Sequence, residues 1–450
     1  MRVETADMPL TSRDLPAGAS AEPRVPLPLT LPSPPSGGEG RVRGLRVAVV
    51  DEELPYPLNS GKRIRTFNLL ARLAQRHRIT YICHRNSDPD EARRAETHLR
   101  DRGINTVVVA RGVPRKSGLR FYARLAANLL SPLPYSVATH ASPALRRAIR
   151  DHAADNRVDL WHCEWTPYAQ VLRGRVGVPW LVVAHNVEST IWQRYYETET
   201  HRLKRWYVGV QWRKFARFER WALNAARCAV AVSLEDADRM RRDFGAERVR
   251  VVDNGVDTSY FRPTGDERVA GQIVFVGSLD WRPNQDAVRL LLDRIFPEVR
   301  RREPAAQLRI VGRRPPEWMR REAASCPGVE LHADPPDVRP FLTRSAVMAV
   351  PLRIGGGSRL KILEALACGL PVVSTRVGAE GLSLAAGQHL DVVDDVSEMA
   401  EALVRSLCDL SRAEATAKRG RQVVCARYDW DVLARKLERV WLECAQRGPQ

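Results

Sequence analysis

The chain has 450 residues, too many for one ordinary hydrophobic core, so two domains are expected. Its hydrophobic content of 44% is typical of a globular protein, and no apolar run approaches the length of a membrane span or of a signal-peptide core. The formal net charge of +18 is compatible with nucleic acid, a phosphate-bearing ligand or an anionic membrane as a partner, but the excess of arginine can also reflect a GC-rich genome, so charge alone decides little.

The eight cysteines do not form a recognisable metal or disulfide pattern. They are spread singly along the chain, at positions 83, 163, 228, 326, 368, 408, 425 and 444. Without a CxxC pair or a Cys/His cluster, neither a zinc site nor a disulfide framework is predicted, and a reducing, cytoplasmic location is expected.

The first 43 residues differ from the rest of the chain. They hold eight of the thirty prolines and show no hydrophobic periodicity, so residues 1–43 are predicted to be a disordered tail. The segment also resembles peptides read through from bacterial intergenic repeat DNA. We therefore expect that translation naturally starts further along the chain, which N-terminal sequencing of the natural protein would test.

Residues 44–262 are predicted to form a first α/β domain, because buried strands alternate with amphipathic helices and such alternation favours a parallel sheet covered on both faces. Several strands end in polar residues, at the carboxyl edge where ligands bind in this class of fold. The predicted strands lie at 45–50, 79–84, 105–110, 158–164, 179–185 and 228–233, with a further strand from 248.

Residues 190–224 are predicted to be one long helical region. Within it, residues 202–221 carry seven Lys or Arg, one Glu and six interleaved aromatic residues. One interpretation is a helix whose aromatic side chains pack inward. The other is a basic amphipathic helix on an anionic membrane, with headgroup contacts from Arg202, Lys204, Arg205, Arg213 and Lys214. Nucleic-acid binding is not expected, since a single-strand binder needs exposed aromatic platforms.

A second α/β domain is predicted over residues 263–428, after a polar linker at 263–269, and a separate C-terminal helix over 429–450. The first strand of the chain lacks the G-x-G-x-x-G pattern of a dinucleotide site, and no P-loop pattern is present. The predicted strands of this domain begin at 272 and continue at 308–312, 329–334, 346–350, 371–375 and 389–395.

Residues 346–378 combine a buried strand, three consecutive glycines at 355–357 and a helix predicted to begin at Ser358. A glycine loop that leads into a helix presents unpaired amides to a phosphate. Ser358, Lys361 and Glu364 recur every three residues and share one helix face. The pattern therefore predicts a lysine near a bound phosphate and a carboxylate within reach of an attached ribose. The alternative is a solvated Lys–Glu pair on an ordinary helix.

Taken together, five motifs resemble the GT-B glycosyltransferases, in particular glycosyltransferase family 4. The resemblance runs from Leu45 to about Trp441. The motifs are PYPLNSGKRIR (55–65), HNVES (185–189), VVDNGVDTSYF (251–261), FVGSLDWRPN (275–284) and PLRIGGGSRLKILEALACGLPVVST (351–375). The resemblance implies an α/β fold of two Rossmann-like, doubly wound domains that face each other across a cleft, with the C-terminal helix crossing back to the N-terminal domain.

The resemblance also implies roles for individual residues. A nucleotide-diphosphate sugar is the expected donor, with no separate cofactor and no metal, because Lys and Arg side chains neutralise the leaving diphosphate. Catalytic roles are implied for His185, Lys361 and Arg282. The implied donor-binding residues are Gly277, Arg353, Gly356, Gly357, Ser358, Lys361 and Glu364. The acceptor, a polysaccharide or lipid-linked glycan, is expected near Gly61 and Asn186.

Two departures from the family pattern limit this prediction. Gly356 stands where the family often has a second Glu, so contacts with the donor sugar must come from elsewhere. Arg282 is a plausible replacement for family residues that correspond here to Ser278 and Pro283. Two alternatives remain: an epimerase-like GT-B enzyme acting on nucleotide sugars, and a non-catalytic nucleotide-sugar-binding or membrane-scaffold protein.

Overall fold

The structure is a computed structural model that describes residues 44–110, 117–174, 177–354 and 359–446. The predicted tail at 1–43 lies outside the described residues. The described residues form two compact units. The first unit runs from residue 44 to Asp253 and takes up the chain again from Ala434, and the second comprises Asn254–Leu433.

The first unit contains a seven-stranded sheet in the order β3-β2-β1-β4-β5-β6-β7, with every neighbouring pair parallel. The central strands are buried along most of their length, as expected for a sheet covered by helices on both faces. The strands are β1 Arg46–Val50, β2 Arg78–His84, β3 Ile104–Val109, β4 Leu160–Cys163, β5 Trp180–Ala184, β6 Cys228–Ala231 and β7 Val249–Val251.

Among the described residues of this unit, nine helices connect and cover the strands. They are α1 Gly61–Leu73, α2 Pro89–Arg100, α3 Leu119–Leu129, α4 Tyr135–His140, α5 Pro143–Asp155, α6 Ala169–Leu172, α7 Glu188–Thr198, α8 Arg202–Ala225 and α9 Leu234–Phe244.

The long helical region predicted over 190–224 is helical along most of its length, but it forms two helices, α7 and α8, with a short break between them. The buried Glu219 of α8 ties the two helices together, because its carboxylate accepts hydrogen bonds from the first backbone amides of α7, at Glu188 (2.6 Å) and Ser189 (3.0 Å). Aromatic pairs between the helices, such as Trp192 with Phe215 at a centroid distance of 5.7 Å, hold them together.

The second unit repeats the architecture with six parallel strands in the order β10-β9-β8-β11-β12-β13. Both sheets therefore show the doubly wound order in which the direction of strand addition reverses beside the first strand. This confirms the predicted GT-B class of fold at the level of the two domains. The strands are β8 Gln272–Ser278, β9 Gln307–Arg313, β10 Val329–Ala333, β11 Val347–Val350, β12 Val372–Ser374 and β13 Asp391–Val392.

The described helices of the second unit pack around a core centred on β8 and β11. A π-helical turn at Leu291–Ile295 joins the first two into one continuous helical segment. The helices are α10 Arg282–Leu290, α11 Phe296–Arg302, α12 Glu317–Ser325, α13 Arg339–Arg344, α14 Leu360–Ala367, α15 Arg376–Ala379, α16 Val396–Cys408 and α17 Leu410–Arg427.

The two units divide at Asp253/Asn254, before the predicted linker at 263–269. The reason is that the segment after Asn254 is bound to the end of the second unit: the Val256 amide donates to the Tyr428 carbonyl (2.9 Å), and the Thr258 hydroxyl donates to Asp429 (2.5 Å). The predicted linker therefore lies inside the second unit.

The last helix, α18, spans Trp430–Gln446, and its part from Ala434 onward belongs to the first unit. There the Trp441 indole donates a hydrogen bond to Nδ1 of His162 (3.1 Å), and Glu438 pairs with Arg76 (2.7 Å) and with His77 (2.9 Å). No helix in the described ranges is both long and apolar enough to cross a bilayer.

Candidate active site

In the second unit, the carboxyl ends of β8 and β11 lie side by side at the point where the strand order reverses. This switch point is where ligands bind in open α/β sheets. The chain leaves β8 towards α10 and leaves β11 towards α14, so residues from these two connections meet there. Of the predicted donor-binding residues, the structure brings Gly277 and Lys361 together at this edge.

Lys361 is held by Asn284, which the sequence analysis did not single out. The Lys361 ammonium donates to Oδ1 of Asn284 (2.8 Å) and lies 4.5 Å from the centroid of the Phe275 ring. The Asn284 amide in turn donates to the Ser278 carbonyl (2.8 Å). The only sequence signal for Asn284 was its position, six residues after the end of a buried strand, in the motif FVGSLDWRPN.

Gly277 has no room for a side chain. A Cβ atom at this position would lie 2.8 Å from the Asn284 amide nitrogen and 3.0 Å from the Lys361 ammonium. The glycine therefore lets these two side chains approach the end of β8, so that their polar groups cluster against its backbone.

Lys361 and Glu364 are half-buried, and both have strongly shifted pKa values. Burial lowers the pKa of Lys361 to about 7, although the Glu364 charge opposes this. Burial raises the pKa of Glu364 to about 7, against the effect of Lys361. Near neutral pH both groups are therefore poised to change protonation when a charged ligand binds.

Glu364 also lies close enough to Tyr260 to influence it. The pKa of Tyr260 is raised mainly by burial and by Asp337, with a further contribution from Glu364. The Arg339 guanidinium lies 3.8 Å from the centroid of the Tyr260 ring. Tyr260 belongs to the motif at 251–261. This motif therefore contributes a residue that lies near the candidate donor site.

The other predicted donor-side residues are placed differently. Arg353 is exposed and forms an ion pair with Asp286 of α10 (2.6 Å), so its charge is already partly neutralised. Arg282, the first residue of α10, is exposed. Gly356, Gly357 and Ser358 lie outside the described residues. Their predicted role in donor binding therefore stays a prediction.

In the first unit, the switch point lies between β1 and β4. The loop after β1 carries three consecutive buried carboxylates, Asp51, Glu52 and Glu53. Two residues of α1 pair with them: the Lys62 ammonium lies 2.5 Å from Asp51, and Arg63 lies 2.7 Å from Glu53. Burial alone would lower the pKa of Lys62, but Asp51 and Glu52 outweigh it and raise that pKa.

These residues surround a cavity of about 150 Å³. Its lining is Asp51, Glu52, Glu53, Pro55, Ser60, Lys62, Arg63 and Thr66. Gly61 begins α1 beside this cavity, with the Ser60 hydroxyl accepting a hydrogen bond from the Arg63 amide (3.3 Å). The glycine-containing loop thus borders a carboxylate-rich cavity whose two basic side chains are paired with acids.

A buried carboxylate, Glu164, lies beside the predicted catalytic histidine. Its Oε1 is 3.1 Å from Nε2 of His185 and accepts a hydrogen bond from the Thr66 hydroxyl (2.8 Å), and its Oε2 is 2.6 Å from Nε2 of His162. Because the Trp441 indole is only a donor, Nδ1 of His162 must accept, which leaves the proton on the nitrogen that faces Glu164.

The charges of this group are coupled. Burial would raise the pKa of Glu164, but His162 and His185 hold it well below its usual value. Burial lowers the pKa of His185, although Glu164 opposes this effect, so the imidazole is largely neutral near pH 7. Glu164 was missed because a Glu after a strand carries no pattern of its own. Asn186, the other predicted acceptor-side residue, is exposed.

The described residues hold no group of three or more His, Cys, Asp or Glu side chains suited to a metal ion. Helix α8 had two interpretations from the sequence, inward packing of its aromatic side chains and a membrane surface, and part of the helix supports the first. Phe215 and Phe218 are buried, and Lys214 is also buried, donating to the carbonyls of Asn128 (2.6 Å) and Leu129 (3.4 Å). The prediction that Lys214 contacts lipid was therefore wrong.

Comparison with known proteins agrees with this architecture. The model of Glycosyltransferase Family 4 matches residues 60–260, and the model of Glycosyl transferases group 1 matches residues 270–409. Glycogen synthase of Mycobacterium tuberculosis is 24% identical over 286 residues, covering 61% of this chain and 67% of that protein. The GDP-mannose-dependent alpha-(1-6)-phosphatidylinositol monomannoside mannosyltransferase of Mycolicibacterium smegmatis is 32% identical over 232 residues, covering 46% of this chain and 60% of that protein.

Solved structures share the fold along nearly the whole chain. Sucrose-phosphate synthase from Thermosynechococcus elongatus superposes with a TM-score of 0.65 at 18% identity, over 89% of this chain and 98% of its own. Anabaena HepE in complex with UDP and glucose gives a TM-score of 0.61 at 13% identity, over 89% and 100%. With both halves matched by glycosyltransferase models and both sheets in the doubly wound order, the chain belongs to the GT-B glycosyltransferases of family 4 and is a glycosyltransferase.

Proposed function

We propose that this glycosyltransferase moves a hexose from a nucleotide-diphosphate sugar to a polysaccharide or lipid-linked glycan. The observation that carries the proposal is the cluster of Gly277, Asn284 and Lys361 at the switch point of the second sheet. Two kinds of relatives support it: mannosyltransferases described as GDP-mannose-dependent, and a solved structure that contains UDP-glucose.

In the proposed reaction, Lys361 binds the donor diphosphate. Lys361 is the second residue of α14, and the helix dipole also favours an anion at this N-terminal end. As the glycosidic bond to the diphosphate breaks, negative charge grows on the leaving oxygen and Lys361 stabilises it. Arg282 is proposed to add positive charge from the start of α10. With these groups in place, the transfer is proposed to need no metal and to retain the anomeric configuration.

Glu364 is proposed to bind the ribose hydroxyls of the donor. It lies one turn after Lys361 on α14, so a ribose attached to a diphosphate at Lys361 is within its reach. A carboxyl whose pKa is about 7 can accept hydrogen bonds from hydroxyls in either protonation state. Arg353 is proposed to contribute only after it exchanges its partner Asp286 for the donor.

On the acceptor side, the carboxylate-rich cavity of the first unit favours a neutral, hydroxyl-rich acceptor. Carboxylates accept hydrogen bonds from sugar hydroxyls, whereas they would repel a phosphate group. His185 is proposed to contact the reacting hydroxyl, with its ring positioned by Glu164. Gly61 and Asn186 are proposed to lie near the bound acceptor. The acceptor would belong to the cell envelope, and the enzyme would work at the cytoplasmic face of the membrane.

Peripheral membrane binding through residues 202–221 is also part of the proposal, with fewer basic residues in contact with lipid. Because Lys214 is buried, only the exposed basic residues of this segment remain available. They include Arg202, Arg205, Arg213 and Arg217.

The donor proposal is tested by Lys361→Ala, with Lys418→Ala as the matched control because Lys418 is exposed on α17. Loss of a charge-assisted contact should weaken UDP or GDP binding by about 10-fold to 100-fold. Isothermal titration calorimetry with both nucleotides measures the effect, and unfolding temperature checks the fold. If the original chain binds UDP or GDP and Lys361→Ala binds the same nucleotide with unchanged affinity, the proposed role of Lys361 is refuted.

A further inference from the structure

Helix α3 turns its apolar side away from the protein. Among its large side chains, Leu119 is 89% exposed and Tyr122 is 56% exposed, and Leu130, just past the helix end, is 92% exposed. Ala123, Ala126 and Ala127 on the same side are exposed too. These positions recur at the three- and four-residue spacing of one helix face, so they form a continuous apolar stripe, which we call the α3 stripe.

The opposite face of α3 is the one that holds it to the first unit, and part of it is polar. The buried Phe121 ring packs edge-on against Tyr135, at a centroid distance of 5.9 Å. The buried Asn128 accepts a hydrogen bond from the Gln211 amide of α8 (3.1 Å) and donates to the Leu133 carbonyl (3.1 Å). These contacts fix the rotation of α3, so the α3 stripe is a stable feature of the surface.

The charged residues in the sequence segment that contains α3 all have one sign. No Asp or Glu occurs in the sequence between Asp101 and Asp151, whereas nine Lys or Arg residues do. On α3 itself Arg120 is exposed and Arg124 is half-buried, both beside the stripe. An apolar helix face flanked by basic residues is the pattern of helices that lie in the interface of an anionic bilayer.

The neighbouring end of α8 has the same character. Leu203 is 69% exposed and Trp206 is 53% exposed, and the exposed Arg202 and Arg205 lie beside them. Asn128 and Gln211 join the C-terminal end of α3 to the middle of α8, so this second exposed group lies one to two turns away along α8. The unpaired apolar surface therefore continues from one helix towards the next.

We propose that the α3 stripe inserts into the headgroup region of an anionic bilayer, where its flanking arginines contact lipid phosphates. A second copy of this chain is a poorer occupant, because it would bring the same acid-free, basic segment against itself. The inference extends the proposed membrane association to a different helix and gives it an apolar anchor. It does not depend on the glycosyl-transfer reaction.

The test compares binding of the full chain to vesicles of phosphatidylcholine alone and of phosphatidylcholine with phosphatidylglycerol, by co-sedimentation. The variant Leu119→Gln/Tyr122→Gln/Leu130→Gln removes the apolar side chains. Glutamine has nearly the helix propensity of leucine, and exposed positions contribute little to folding. The control is Leu410→Gln on α17, where the leucine is 41% exposed.

The original chain and the Leu410→Gln control should bind the phosphatidylglycerol vesicles, and the triple variant should bind at least about tenfold more weakly. If the triple variant is unstable, Leu130→Gln alone should weaken binding severalfold, because that side chain is almost fully exposed. Equal vesicle binding by the original chain and the folded variants would overturn the inference, as would failure of the original chain to bind.

Size-exclusion chromatography with light scattering tests whether a second copy of the chain, instead of a bilayer, covers the α3 stripe. A dimer of the original chain that the triple variant converts to monomers would show that a second copy covers the α3 stripe, and would overturn the inference. Nucleotide binding is measured on the same samples. If the chain binds vesicles through α3 but binds neither UDP nor GDP, the proposed function fails while this inference stands.

Discussion

At the scale of single residues, the candidate donor site depends on a lysine and a glutamate that sit in partly buried positions. Burial is the main cause of both pKa values near 7, since it penalises the charged form of each group. A diphosphate bound at Lys361 supplies the negative charge that the free site lacks. The ammonium form is then favoured, and the pKa of Lys361 rises on binding.

Proton uptake on nucleotide binding follows from that shift. Below about pH 7 Lys361 is already charged in the free protein, so it takes up no proton. Above that pH the free lysine is increasingly neutral, so binding takes up a proton and the affinity for UDP or GDP should fall as pH rises. Calorimetry at about pH 8, in buffers of different ionisation enthalpy, measures the uptake; the nucleotide's own phosphates are ionised there.

Lys361→Gln is the control for this prediction. It keeps a hydrogen-bonding side chain but cannot titrate, so the share of the proton uptake and of the loss of affinity above about pH 7 that Lys361 causes should disappear, and only the contribution of Glu364 should remain. Should the variant retain the same uptake as the original chain, another group would be responsible and the assignment to Lys361 would be wrong.

Some residues of the candidate sites could be predicted from the sequence, and others could not. Lys361 and Gly277 were found because each belongs to a recognisable motif. Asn284 and Glu164 were missed because their importance comes from what they touch, the Lys361 ammonium in one case and His185 in the other. Contacts of this kind join distant parts of the chain and leave no regular spacing in the sequence.

At the scale of elements, the motif VVDNGVDTSYF illustrates how a family signature can have a structural role. Asp257 accepts hydrogen bonds from the Ser259 amide (3.1 Å) and the Tyr260 amide (3.0 Å), which fixes the turn. Gly255 lies against the end of the second unit, where a Cβ atom would be 2.5 Å from the Tyr428 carbonyl oxygen and 2.4 Å from Leu433.

Gly255→Ala should therefore destabilise the second unit. A Cβ so close to a backbone oxygen forces a shift of the chain, at a cost of about 1 to 3 kcal/mol in the free energy of unfolding. Urea unfolding followed by circular dichroism gives the difference. Gly177→Ala is the control, because, chain neighbours apart, no atom of the described residues lies within 4 Å of a Cβ at that position. Equal stability of the two variants would contradict the close packing at Gly255.

At the scale of the whole molecule, the chain builds two doubly wound units and then returns its last helix to the first one. The returning segment is anchored by Trp441, which is completely buried and bonded to His162. His162 in turn lies beside Glu164, so the C-terminal helix supports the shell of the candidate acceptor site in the first unit.

Trp441→Ala should lower the stability of the first unit by about 3 to 5 kcal/mol, because it leaves a large cavity and an unpaired His162 nitrogen. Trp206→Ala is the control, since that side chain is 53% exposed and its removal should change stability by less than about 0.5 kcal/mol. Nucleotide affinity, which we propose for the second unit, should survive in the folded variant. Lost affinity at unchanged stability would contradict this division of roles.

The sequence by itself determined the alternation of strands and helices, the two α/β units and the glycosyltransferase family, because hydrophobic periodicity and short motifs are local properties. The tertiary structure decided what depends on distant contacts. It packed α7 against α8 through the contact of Glu219 with the start of α7, placed the boundary between the units at Asp253/Asn254, and buried Lys214 against Asn128. It also turned the apolar face of α3 outward, since a helix pattern shows which residues share a face but not which face the protein covers.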